Sequence, residues 1–280
     1  MKLFRIEYST EEVSSPLGKL RMPVIRSRLT KEEKKGLLHL LGSKHLSLLY
    51  KGSVHGERRE LMNQIASYKP HLNSVPQFRV LFLGPVGAGK SSLFNSVKSV
   101  FRGYVTSQAI AGSDSTSVTA QYRTYDIKNE DNGKSLPIIF CDTMGLEEKQ
   151  GAGLAIDEVP NLLQGYVPDR YQFNPCAAMQ PNSLGCDKHP SLKDQIHCVV
   201  FVIDGSKVEI LPDSLGEKLR EIRRKINKFD MPQLVILTKV DEICSSLEEN
   251  VSDVYRSRTV KKQVNTGNPS QYKFYEQAIL

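Results

Sequence analysis

The chain has 280 residues, 39% hydrophobic and 25% charged, an ordinary globular composition with room for one large or two small domains. No apolar run reaches the roughly 18 residues of a membrane span, and residues 1–8 lack the apolar core of a signal peptide. The formal charge of +7 falls partly in Arg220-Glu221-Ile222-Arg223-Arg224-Lys225, which fits a solvated helix face, with an anionic partner as the alternative; no aromatic-interleaved basic motif indicates nucleic acid.

Residues 1–29 show no clean period. Thr30-Lys31-Glu32-Glu33 is a capping box that starts a short helix through Leu37, Leu38, Leu40 and Leu41, ended by Gly42. Residues 46–50 read as a strand, and a second helix runs from Gly56 to Tyr68, stopped before Pro70. From residue 78 the chain alternates strand and helix. Strands are predicted at 78–83, 118–127, 136–141, 196–203 and 233–238, and helices at 90–101, within 152–165 and at 214–228, where Leu215, Leu219, Ile222 and Ile226 keep helical spacing. The expected fold is α/β: a P-loop GTPase-like, doubly wound, mostly parallel sheet that lacks its last strand, preceded by a small N-terminal α+β segment. Residues 146–195, with Pro160, Pro168, Pro175, Pro181 and Pro190, read as a long and mostly irregular connection.

The strand at 78–83 runs into Gly84-Pro85-Val86-Gly87-Ala88-Gly89-Lys90-Ser91, which is G-x-x-x-x-G-K-[ST]. Glycines let successive backbone N–H groups turn toward one phosphate, and the following helix aims its positive dipole end at the same charge. Gly84, Gly87, Ala88, Gly89, Lys90, Ser91 and Ser92 are the expected phosphate contacts, and Ser91 offers a hydroxyl to Mg²⁺. Asp142-Thr143-Met144-Gly145 is a D-x-x-G closing an apolar run. Asp142 is the second expected Mg²⁺ residue, and the Gly145 N–H is placed to sense a γ-phosphate. Thr238-Lys239-Val240-Asp241 closes the run at 234–237 as T-K-x-D, a variant of N-K-x-D. There Asp241 can accept the N1–H and N2–H₂ edge of guanine, and the Lys239 stem can lie over the base. Together these motifs point to GTP or GDP with Mg²⁺. Thr116 is the expected switch threonine for Mg²⁺. Ser115 is an alternative, and Thr119 belongs to the predicted strand.

The set G-x-x-x-x-G-K-S, D-x-x-G and T-K-x-D resembles the translation-factor-related GTPases. More narrowly, residues 48–56, 84–92, Asp169-Arg170-Tyr171-Gln172-Phe173-Asn174 and Ser191-Leu192-Lys193-Asp194-Gln195-Ile196-His197-Cys198 resemble the interferon-induced protein 44 family. The resemblance covers about residues 40–260. It implies an interferon-inducible, cytoplasmic, antiviral GTP-binding protein with a TLD-type segment ahead of the nucleotide domain. The resulting division is 1–56 as a TLD-type remnant, 57–75 as a linker helix, 76–244 as the GTP-binding domain and 245–280 as a polar, atypical tail. A sheet without its last strand would expose an edge and make the chain partner-dependent. A protein partner, including a second copy of the chain, is therefore expected.

Hydrolysis is less favoured than binding. Leu146 follows the D-x-x-G, where Ras-like GTPases place a water-orienting Gln, and Val86 occupies a position where small GTPases favour Gly. Arg102, Arg123 and Arg170 are candidate arginine fingers that sequence does not separate. The expected activity is a nucleotide switch with weak or no intrinsic hydrolysis, no catalytic residue being assigned. The alternative is a non-catalytic scaffold with a relic P-loop. Cys176, Cys186, His189 and His197 lack zinc spacing. The five cysteines, odd in number, have no framework spacing. Cys141 and Cys198 fall in predicted strands, which suits buried thiols and a reducing interior, cytosol or nucleus.

Overall fold

Short apolar runs bounded by Gly, Pro or Asp become strands, and apolar residues spaced three or four apart become helices. The computed structural model describes residues 55–70, 74–109, 121–129, 133–149, 151–174, 189–243, 257–260 and 278–279. The predicted helix after Thr30, the strand at 46–50 and Thr116 with its neighbours Ser115 and Thr119 lie outside the described residues, as does most of the tail. In chain order the elements are helix α1 (His55–Ser67), strand β1 (Phe78–Leu83), α2 (Lys90–Arg102), β2 (Arg123–Lys128) and β3 (Ser135–Asp142). A 3-10 turn (Ile156–Glu158) then runs into α3 (Val159–Gln164). The rest are β4 (Cys198–Asp204), a 3-10 turn (Gly205–Ile210), α4 (Asp213–Asn227), β5 (Gln233–Thr238), a 3-10 turn (Asp241–Ile243) and β6 (Ala278–Ile279).

The sheet order is β2-β3-β1-β4-β5-β6. β1 pairs parallel with β3 and β4, β4 with β5, and β5 with β6, giving the expected doubly wound arrangement. β2 runs antiparallel to β3, because the six residues from Asn129 to Lys134 that link them are far too few for a crossover. It begins at Arg123, opposite Asp142, later than the 118 expected from composition. Sequence gives no reason to expect a last strand. The edge beyond β5 holds a two-residue pairing, Val235↔Ala278 and Ile236↔Ile279, and no full-length sixth strand is found among the described residues.

Period-two alternation splits the strands between two cores. Phe78, Val80 and Phe82 of β1 and Val200 and Val202 of β4 face α1 and α2, where Ile65, Phe94, Val97 and Phe101 close the layer. Leu81 and Leu83, with Val199, Phe201 and Ile203, face α3 and α4, packing against Leu162, Leu163, Leu219, Ile222 and Ile226. The 146–195 connection is far from loose where described: Leu154, Val159, Val167 and Phe173 join the second core.

His197 is a core residue. Its Nδ1 accepts the Arg79 N–H at 2.9 Å, and its ring meets Phe78 edge-on at 5.5 Å. Burial lowers its pKa from 6.5 to about 4, the Leu192 backbone opposing and Arg79 assisting. The native state therefore binds this proton less readily than the unfolded chain. Stability is intact above pH 6.5 and falls as pH drops toward 4, by about 3 kcal/mol in all. Chemical denaturation of wild type and His197→Gln across pH 4–7 checks this, the variant showing the shallower decline.

Candidate functional site

The C-terminal ends of β1, β3, β4 and β5 meet along one edge, and those predicted site residues that are described stand there; Thr116 is not among them. Gly84 passes so close to β4 that a Cβ would lie 2.0 Å from the Val202 carbonyl oxygen. Gly87 (φ 72°) and Gly89 (φ 85°) take left-handed backbone, which curls the loop back into α2. Ala88 is fully buried and Ser92 is exposed on the first turn of α2.

Lys90 folds under its own loop. Its Nζ donates to the carbonyls of Gly84 at 3.1 Å and Pro85 at 2.9 Å. Burial pulls the ammonium down to about 8, against the attraction of Asp142. Ser91 Oγ donates to Asp142 Oδ2 at 2.7 Å. Burial raises the Asp142 pKa, while Ser91, Lys90 and the Thr143 N–H oppose it. Thr143 Oγ1 donates to the Phe82 carbonyl at 2.9 Å, fixing the end of β3 to β1.

The D-x-x-G loop is stitched to the phosphate loop. Leu146 N–H donates to Gly84 O at 2.9 Å, and Val86 N–H to Leu146 O at 3.0 Å. A Cβ on Gly145 would sit 2.5 Å from Val86 Cγ2, so this position requires glycine. Leu154 N–H donates to Gly145 O at 3.0 Å from the far side. Leu146 itself is 1% exposed, a core side chain at the place where Ras-like GTPases carry a water-orienting Gln.

The T-K-x-D loop reaches the same pocket. Thr238 Oγ1 lies 2.7 Å from the Ala88 carbonyl and 3.1 Å from that of Ile203, so it ties β5 to the phosphate loop. Lys239 has φ 52° and its Nζ bonds Asp204 Oδ2 at 2.8 Å. Asp241 is exposed at the start of the last 3-10 turn. Sequence reasoning does not single out Asp204, although an acid closing the apolar run of β4 is the same signal that marks Asp142 on β3. The arginines also separate. Arg102 ends α2, roughly 18 Å along that helix from Lys90. Arg123 stands opposite Asp142 in the sheet, its guanidinium 5.9 Å from the Tyr125 ring centroid. The exposed Arg170 pairs with Asp169 at 3.6 Å. Among the described residues no group of His, Cys, Asp and Glu forms a metal cluster. Nor, there, is any helix long and apolar enough to cross a membrane.

The sequence profile of the 50S ribosome-binding GTPase family matches residues 79–239, more than half of the chain, from the second residue of β1 to Lys239. The chain belongs to this GTPase family and carries its GTP-binding P-loop domain. It is also homologous to the interferon-induced protein 44 proteins. It is 44% identical over 207 residues to human interferon-induced protein 44-like, covering 74% of this chain and 46% of that protein. Identity is 41% over 207 residues to human interferon-induced protein 44, with the same coverage. It is 43% over 204 residues to the mouse protein, covering 73% of this chain and 48% of that one. The chain thus spans about half the length of the curated relatives it matches. A distant likeness, at 15% identity and a TM-score of 0.36, is to the signal recognition particle receptor SRb-GTP/SRX complex from Chaetomium thermophilum, over 72% of this chain and 87% of that one.

Proposed function

We propose that this chain binds Mg²⁺-GTP at the strand-end pocket and acts as a nucleotide-dependent switch with weak or no intrinsic hydrolysis. Gly84, Gly87, Ala88, Gly89, Lys90, Ser91 and Ser92 surround the phosphates in this reading. Gly145 faces the γ-phosphate, and Thr238, Lys239 and Asp241 receive guanine. The observation that carries it is the Thr238–Ala88 bond, which makes base reader and phosphate loop one pocket. Ser91 and Asp142 suit Mg²⁺: a hydroxyl and a carboxylate, both hard oxygen donors, 2.7 Å apart and buried. Thr116 would join them. The cation, when bound, neutralises phosphate charge. The chain's own residues orient the phosphates and exclude water. Weak hydrolysis follows from Leu146, whose buried side chain cannot hold a water, and from Val86, which fills the space beside Gly145. The proposed setting is an antiviral, cytoplasmic response in which the chain works with a protein partner; the interferon-induced relatives support this reading.

Titration with GTP, GDP and ATP analogues, with and without Mg²⁺, tests this. Wild type is expected to prefer GTP over ATP by about 100-fold, and Asp241→Ala to erase the preference while ATP affinity stays put. Equal affinity of wild type for both nucleotides would remove the guanine reading. A second reading, an interaction protein whose P-loop is architecture, draws on Lys90 being satisfied by its own loop carbonyls. Partner binding and antiviral activity that survive both Lys90→Ala and Asp241→Ala would favour it.

A further inference from the structure

We infer that Asp204 is a positioning residue for base recognition: it clamps the Lys239 ammonium and thereby fixes the Thr238–Asp241 loop for guanine. The inference rests on the guanine reading above. Asp204 closes β4 and is 5% exposed, and its two carboxylate oxygens have separate tasks. Oδ1 accepts the Ser206 N–H at 3.1 Å and the Ser206 hydroxyl at 2.6 Å, capping the turn that follows. Oδ2 accepts the Lys239 ammonium at 2.8 Å. Lys207 is a weaker competitor, 3.9 Å away with its side chain 61% exposed, against 34% for Lys239.

The surrounding backbone leaves the clamp little slack. Asp204 stands in register with Thr238, and a Cβ on Gly205 would lie 2.9 Å from the Thr238 carbonyl oxygen. Ser206 Oγ lies 3.1 Å from Glu242 Oε2, joining the same turn to the residue after Asp241. Lys239 adopts left-handed backbone, which costs any residue with a Cβ and needs a compensating contact. The Asp204 carboxylate supplies it, and it tethers the four-carbon stem of Lys239 to the end of β4 with Asp241 two residues on. A preset stem and carboxylate spare the loop the ordering cost it would otherwise meet when nucleotide arrives.

Asp204→Asn separates the two tasks. The amide oxygen still caps Ser206, whereas the charge-assisted bond to Lys239 is lost. In the full chain, GTP and GDP affinity are expected to fall about 10- to 100-fold. Affinity for Mg²⁺-tripolyphosphate, a probe without base or sugar, should not move, and the nucleotide-free melting temperature should fall by only about 2–5 °C, the cost of the lost Lys239 contact. In a Lys239→Met background, Asp204→Asn should add no further loss. An Asp204→Asn chain that binds GTP like a GTP-selective wild type overturns the inference alone. Loss of tripolyphosphate binding together with a larger fall in melting temperature overturns it in favour of a general structural role. A wild type that binds GTP and ATP equally removes the guanine reading and this inference together.

Discussion

Lys90→Met is expected to weaken Mg²⁺-GTP binding by about 100-fold or more while making the nucleotide-free chain more stable. The two effects share one cause. Lys90 is 7% exposed, and its burial draws the ammonium from 10.5 down to about 8. Keeping that charge buried at neutral pH costs the empty protein about 3 kcal/mol, a figure that already includes the attraction of Asp142, and methionine in turn leaves the Gly84 and Pro85 carbonyls without the ammonium. Methionine keeps the apolar stem and drops the charge, so a net gain of about 1–2 kcal/mol is expected. A bound triphosphate reverses the balance, because a desolvated cation facing phosphate is worth far more than one in water, and truncating such a partner costs about 2–5 kcal/mol. Calorimetric titration and thermal melting of the two proteins check the opposed signs. A variant that loses stability and affinity together would mean that the lysine holds the loop's shape.

Gly84→Ala is expected to be the most damaging single-methyl substitution along this edge. The added Cβ would meet the Val202 carbonyl oxygen at 2.0 Å, a backbone atom of the central neighbouring strand. β1 and β4 are in register through Leu83↔Phe201, so relief requires parting two strands in the middle of the sheet. A cost of about 4 kcal/mol or more follows, or a melting temperature lower by at least about 10 °C. Gly87→Ala is the control. Gly87 has φ 72°, but a methyl there would meet nothing within 4 Å, so only the backbone preference is lost, about 1 kcal/mol. Equal effects of the two substitutions on melting would contradict the argument.

Much of this layout is legible in the sequence, for local reasons. β1 and β5 fall on the predicted residues because each is an apolar run stopped by glycine or by Lys-Val-Asp. Helix α2 begins at Lys90 and ends at the Gly103 cap because its apolar residues keep period and no glycine interrupts them. β2 is misplaced at its start because Val118 and Thr119 have strand composition, whereas the pairing with β3 begins at Arg123. What local pattern cannot supply is which strand ends become neighbours. Thr238 reads as an imperfect Asn until its hydroxyl is found on Ala88, 150 residues earlier. Asp204 reads as a strand terminus until Lys239 closes on it from 35 residues away. Leu146 reads as a missing glutamine, and its positive role is packing against Leu154 and the second core.

That packing has a mechanical consequence. A lever needs one arm free of its fulcrum, and the segment after Asp142 is pinned at both ends, by Leu146 to Gly84 and Val86 and by Leu154 to Gly145. Displacing it breaks three backbone bonds, each worth about 1 kcal/mol. A nucleotide must therefore favour the displaced form by about 3 kcal/mol, more than a hundredfold in relative affinity, merely to populate it equally with the seated one. Below that threshold, exchange of GTP for GDP changes the occupant and leaves the wall beside it standing.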